Sequence, residues 1–168
     1  MELYILRHGI AEELDLATSG RDSQRRLTPE GRKKMRGVAK GMQALEIKLD
    51  VILSSPFLRA QETAEIVAEV FGMAKDLHLL PALAADGNPK ELIDELKAHH
   101  RKRGAVLLVG HEPYLSRLIS LLISGDTGIS ITMKKGGLGK LSTKSLQYGR
   151  CATLEWLLTP GQIRSVKS

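Results

Sequence analysis

The chain has 168 residues, 42% of them apolar and 26% charged, proportions of a soluble globular protein that exclude a disordered chain or a fibrous repeat. Its formal net charge of +6 favours anionic partners, among them phosphoryl groups, acidic proteins and nucleic acid, without choosing between them. A single cysteine, Cys151, excludes an internal disulfide and reads as a small apolar residue, so nothing here asks for an oxidising compartment.

One domain over residues 1–168 is expected, since a chain of this length can bury roughly two-thirds of the surface its unfolded form exposes. The apolar start is interrupted by Arg7 and lacks the features of a signal peptide. No apolar run reaches the ~20 residues of a membrane helix. The cytoplasm is therefore the expected compartment, with no membrane partner.

Glu2-Leu3-Tyr4-Ile5-Leu6 reads as a short buried strand that stops at Arg7-His8-Gly9. A helix is predicted from Thr28-Pro29-Glu30, with Thr28 as N-cap and Pro29 in the first helical position, where its missing N–H is harmless. Met35, Val38, Ala39, Met42 and Leu45 recur at helical spacing as its buried stripe. Asp50 to Leu53 is the second strand, and Ser55 is expected to cap the next helix, with Ala60, Ala64, Val67 and Phe71 inside and Gly72 as its stop. A third helix is predicted from Asn88-Pro89 to Gly104, with Glu91 as capping-box partner.

Ala105 to Val109 is an uninterrupted apolar strand, the pattern of one covered on both faces, and it ends at Gly110-His111-Glu112-Pro113. Leu115, Leu118, Ile119 and Leu122 mark a fourth helix closed by Gly125. The stretch to Gly149 holds only short strands, and Ala152 to Leu158 is a last one. Strands alternating with helices predict an α/β fold of three layers with a mostly parallel central sheet.

Three strand ends each carry a cation or imidazole: Arg7 and His8, then Arg59, then His111. In open α/β sheets ligands bind at that edge, where helix N-termini also point. One Arg or His after a strand is usually a solvated loop residue, but three such junctions together describe a pocket for a phosphoryl group, whose oxygens match guanidinium forks. Gly9 and Gly110 permit tight turns and close backbone approach to a ligand. The basic run His99 to Arg103 lies at a predicted helix end and lacks interleaved aromatics, so it reads as a solvated cap rather than a nucleic-acid surface. Its paired histidines lack further ligands at metal spacing.

Leu6-Arg7-His8-Gly9, the segment Ser54-Ser55-Pro56-Phe57-Leu58-Arg59-Ala60-Gln61-Glu62-Thr63 and Val109-Gly110-His111-Glu112-Pro113 resemble the signature segments of the histidine phosphatase superfamily, whose fold is also called phosphoglycerate mutase-like. The short length and Met133-Lys134-Lys135-Gly136-Gly137 are more specifically similar to the SixA-type phosphohistidine phosphatases. The resemblance implies that His8 is a nucleophile forming a phosphohistidine intermediate and that Arg7, Arg59 and His111 hold the phosphoryl oxygens, with Gly9 beside them. It implies no metal and no organic cofactor.

Larger mutases and acid phosphatases of the superfamily carry an acidic residue before the third helix that protonates an alkoxide leaving group. Here that region reads Leu80-Pro81-Ala82-Leu83-Ala84-Ala85-Asp86, and Asp86 beside Gly87 is read as a turn residue rather than an acid. A site without a strong acid suits an imidazole leaving group, and the short connection from Phe71 to Ala105 implies an open site. Both favour phosphohistidine on a phosphorylated protein, such as a histidine phosphotransfer domain. The alternatives are a small-molecule phosphomonoesterase of the same fold, a non-catalytic phosphate-binding module and, on charge alone, a nucleic-acid binder.

Overall fold

The computed structural model describes residues 1–14 and 20–167. Strand β1 (Glu2–Arg7) is followed by helix α1 (Pro29–Ala44), strand β2 (Val51–Ser54), helix α2 (Leu58–Phe71), strand β3 (Leu77–Leu79) and helix α3 (Pro89–Glu95). Strand β4 (Ala105–Gly110), helix α4 (Tyr114–Ser124), strands β5 (Leu138–Thr143) and β6 (Ala152–Leu158) and helix α5 (Pro160–Ser165) complete the chain. The strands form one six-stranded sheet in the order β3-β2-β4-β1-β5-β6. The first four in chain order are mutually parallel, whereas β5 runs antiparallel to β1 and β6 antiparallel to β5. The three-layer α/β expectation stands, with a sheet more mixed than expected because a hairpin closes one edge.

Alternation along the strands divides the core in two. Leu3, Ile5, Val51, Leu53, Val106 and Leu108 face α3 and α4. Tyr4, Leu6, Ile52, Leu107 and Val109 face α1, α2 and α5. Strand β4 is buried along its whole length, as its unbroken apolar run predicts. Among the described residues no helix is long and apolar enough to cross a membrane.

The helix boundaries follow local chemistry, with three corrections. Thr28 caps α1 as expected, its hydroxyl accepting from the Gly31 amide at 2.9 Å. Ser55 does not cap α2, whose N-cap is Phe57; the Ser55 hydroxyl accepts from the Phe57 amide just before the helix and turns toward His111. Asn88 caps α3 by accepting from the Lys90 amide, and Glu91 completes no capping box. The α-helix expected to reach Gly104 ends at Glu95 and widens into a π-turn over Leu96–His100. Leu92, Ile93 and Leu96 are its buried residues, and beyond Leu96 no large apolar side chain remains to bury, so packing no longer holds a regular helix together.

Two elements escaped the sequence. Strand β3 is three residues long and exists through its pairing with β2. Helix α5 is six residues long but carries a legible signal, a capping box between Thr159 and Gln162. It docks on α1 at Gly41, where an added Cβ would lie 2.2 Å from the Ile163 carbonyl oxygen. Gly41→Ala should therefore force the two helices apart and lower stability by about 1–3 kcal/mol, as overpacking does. Denaturant unfolding combined with hydrogen exchange in α5 measures this, and an unchanged midpoint with α5 still protected would count against the packing described.

Candidate active site

Parallel register brings three strand ends level. Arg7 of β1 lies opposite Gly110 of β4, and Ser54 of β2 opposite Val109. The next residues, His8, His111 and Ser55, are thus delivered side by side from strands about 4.8 Å apart. The pairing continues past the strands: the His8 amide donates to Gly110 O at 3.0 Å and the Ser55 amide to Val109 O at 2.9 Å. The His8 and His111 ring centres end 5.2 Å apart.

Arg59 enters from the first turn of α2, as expected from its position after β2, and is buried. Its Nε–H donates to His8 Nε2 at 3.3 Å, and its terminal nitrogens donate to the backbone carbonyl and the carboxylate of Asp22 at 2.8 and 3.1 Å. Arg7 is half-buried; its terminal nitrogen donates to Met133 O at 2.8 Å, and its charge acts on both imidazoles. The structure thus brings together all four side chains singled out from the sequence. Asp86 lies in an exposed turn.

The hydrogen bonds settle both imidazole tautomers. His8 Nδ1 lies 2.7 Å from the Gly9 carbonyl, which can only accept, so Nδ1 carries the proton and Nε2 keeps its lone pair. Gly9 is itself held by its amide, which donates to Thr63 Oγ1 at 3.1 Å, and it lies against Met35, whose Cγ would be 2.6 Å from an added Cβ. At His111 the neighbour is Ser55 Oγ, 2.7 Å from Nε2. Ser55 is fully buried, and among the described residues His111 Nε2 is the one acceptor its hydroxyl proton meets, so the hydroxyl donates to His111 Nε2 while accepting from the Phe57 amide. The neutral His111 ring then keeps its proton on Nδ1.

Among the described residues His111 Nδ1 and Arg7 Nε are buried without a protein partner. Unmatched buried donors are costly unless an acceptor meets them, and an oxyanion supplies several acceptors at once. An unprotonated ring nitrogen whose lone pair accepts only the long bond from Arg59, two guanidinium groups and an imidazole N–H therefore converge on one place. Such a set can bind a phosphoryl group and present a nucleophile to it.

Sequence reading missed the residues that hold this set in place. Ser55 reads as a helix cap, Thr63 and Met133 stand in the signature segments without a role of their own, and Asp22 carries no signal. Asp22 depends in turn on Glu62, a buried carboxylate on α2 that accepts from the Leu27 amide, Arg26 and Arg32 at 2.7, 2.9 and 2.6 Å. Burial pushes the Glu62 carboxyl up, but these donors hold it below its ordinary value. The segment before α1 is thereby fixed against α2. Glu62 lies within a motif readable from sequence; its partners carry no local signal because they arrive from a different part of the chain.

Burial, reinforced by the neighbouring cations, pushes the His8 pKa down from 6.5 to about 3 and that of His111 to about 4. Both rings are neutral at pH 7. The unfolded chain binds more protons than the folded one below pH 6.5, so stability present above that value is lost as pH falls toward 4 and then 3. Nitrogen-15 NMR of the imidazoles should show both rings neutral at pH 5, with the proton of His8 on Nδ1. Titration of either ring near 6.5, or a His8 proton on Nε2, would contradict the assignment.

The sequence profile of the histidine phosphatase superfamily (branch 1) matches residues 3–84. The chain is 28% identical to phosphohistidine phosphatase SixA of Escherichia coli over all of its own length and 99% of that protein. It is 30% identical to the phosphohistidine phosphatase SixA homolog of Haemophilus influenzae over 77% of this chain and 82% of the relative. A solved structure of protein histidine phosphatase SixA complexed with tungstate superposes with a TM-score of 0.80 at 28% identity, covering 96% of this chain and 98% of the other. A phosphoserine phosphatase from Entamoeba histolytica, at 16% identity and a TM-score of 0.71, shares the fold. By the profile match, the 30% identity to the Haemophilus influenzae relative and the full-length likeness to SixA, this chain belongs to the histidine phosphatase superfamily and resembles its SixA-type members along its whole length.

Proposed function

We propose that the protein hydrolyses phosphohistidine on a protein substrate in two phosphoryl transfers, with His8 the residue transiently phosphorylated. The observation that carries this reading is the bond from His8 Nδ1–H to the Gly9 carbonyl, which leaves the Nε2 lone pair beside Arg59. In the first transfer Nε2 bonds to phosphorus as the bond from phosphorus to the substrate imidazole breaks, and the departing ring takes its proton from solvent. In the second, a water oxygen bonds to phosphorus, the bond to Nε2 breaks, and the water proton passes to solvent. Arg7, Arg59 and His111 Nδ1–H hold the phosphoryl oxygens and meet the charge that builds on them. Gly9 contributes through its carbonyl, which fixes the His8 ring, while its amide is engaged by Thr63.

Burial supports the nucleophile role, because a His8 pKa of about 3 keeps Nε2 unprotonated across the neutral range. The phosphohistidine phosphatase names of the SixA relatives supply the leaving group. A substrate imidazole departs as a weak base, so it asks for no strong general acid. The one carboxylate between Leu80 and Gly87, Asp86, lies exposed in a turn and is not among the buried groups of the site. The cell compartment that fits such a substrate is the cytoplasm.

His8→Ala should lower turnover by roughly 10³-fold or more while the protein stays folded. Quenching in alkali after brief mixing with labelled substrate should place the label on His8 in the parent. A label elsewhere, or near-normal turnover of the variant, would remove the proposed role.

Substrate choice provides a separate check. General-acid help is worth ~10²–10⁴-fold and matters most for basic leaving groups. A phosphohistidine protein and an aryl phosphate should therefore be hydrolysed far better than sugar phosphates. Efficient sugar-phosphate hydrolysis that collapses in Asp86→Asn would instead make this a metabolic phosphomonoesterase.

A further inference from the structure

Beside the candidate site lies a second depression that the phosphoryl chemistry leaves unused. It is a cavity of about 410 Å³ sharing Arg7 and Gly9 with the site, floored by Met35, Val38 and Pro160. Its rim is cationic, with Lys34 from α1, Lys134 and Lys135 from the turn before β5, and Arg164 from α5. Lys34 pairs with Glu30 at 2.6 Å. Among the described residues Lys134, Lys135 and Arg164 form no ion pair.

These cations are held by the fold rather than carried on loose chain. The Gly136 amide donates to the carbonyls of Arg7 and His8 at 3.0 and 3.1 Å, the Arg7 amide donates to Gly137 O at 3.1 Å, and the Gly137 amide closes the turn onto Lys134 O at 2.7 Å. The Met133 carbonyl at the start of the turn accepts from the Arg7 side chain. Gly136 has φ +78°, a left-handed conformation that suits glycine and lets the turn reverse against Met35 and Pro160. Across the groove, the stem of Arg164 lies on α1 at Gly37, where an added Cβ would be 3.2 Å from Arg164 Cγ. The turn that carries Lys134 and Lys135 is thus bonded directly to the backbone of Arg7 and His8.

We infer that this groove is the docking surface for the acidic face of the phosphorylated protein, receiving carboxylates that flank the phosphohistidine while the phosphoryl group enters the pocket of His8. The inference rests on the proposed function and adds to it the charge of the partner. Charge complementarity chooses the occupant, since an apolar floor under unpaired cations matches carboxylates presented on a folded surface with apolar neighbours. The contribution of such a rim is to encounter and orientation, not to the bond-making step.

The test compares the parent with Lys134→Glu/Lys135→Glu on two substrates: a histidine phosphotransfer domain phosphorylated on histidine and bearing carboxylates around it, and an aryl phosphate. Electrostatic steering changes association by ~10–10³-fold, so kcat/KM for the phosphorylated domain should fall by roughly tenfold or more and lose most of its salt dependence. The aryl phosphate should be turned over unchanged within about twofold, which also shows that the variant is folded. Lys102→Glu/Arg103→Glu, which changes net charge equally at the opposite end of the sheet, should leave both substrates unaffected. Equal losses on both substrates would place the lysines at the phosphoryl group and overturn the docking role. No loss on either substrate, or an equal loss in the Lys102/Arg103 variant, would overturn it as well. A parent that hydrolyses the aryl phosphate and leaves the phosphorylated domain untouched would remove the proposed function and this surface with it.

Discussion

The register of β1 against β4, with Arg7 opposite Gly110, places two imidazoles from distant parts of the chain next to each other. That register is pinned from both faces of the sheet. A slip of one residue would carry Leu3 and Ile5 from the layer of α3 and α4 into the layer of α1 and α2, and Tyr4 and Leu6 the other way. Each layer is shaped for its own set, so the hydrophobic core holds the strands to within a fraction of a residue. Strand β2 is pinned in the same way against β4, which brings Ser55 to His111. The site's geometry is therefore a consequence of core packing, enforced by side chains that never meet a ligand.

Such a site has to be stabilised against its own charge. Two arginines and two histidines within one buried cluster would repel if all were protonated. Burial resolves this by keeping both imidazoles neutral, and carboxylates and carbonyls answer the guanidinium groups. Arg59 binds Asp22, and Glu62 holds the segment that carries Asp22. These contacts fix the direction of the Arg59 fork without touching the Nε2 lone pair. Positioning is thereby separated from the atoms that would react, and pre-set donors of this kind need little rearrangement when charge develops.

Some of this was legible in the sequence for local reasons. The buried run at Ala105–Val109 and the Thr28-Pro29 start obey rules that involve neighbours in the chain. The Ser55-Pro56 pair obeyed a local rule and misled, because a serine before a proline suits a helix cap while a buried histidine across the strand end claimed its proton. The third helix was overextended because helical propensity continues past Leu96 whereas the apolar stripe does not. Strand β3 is too short to show a period, and pairing with β2 creates it.

Periodicity, caps and breaks that act within a few residues are enough to read the layer class, the order of the main helices and strands, and the four side chains that follow the strands at their junctions with loops and helices. The tautomers of His8 and His111, the anchoring of Arg59 to Asp22, the mixed sheet edge and the cationic groove beside Arg7 come from the folded chain. Those features depend on hydrogen bonds and contacts between segments far apart in the chain, whose partners are chosen by strand register and helix docking. Spacing along one strand cannot report a distance across two, so the chemistry of the site was readable as a list of residues and became a mechanism through the packing that aims them.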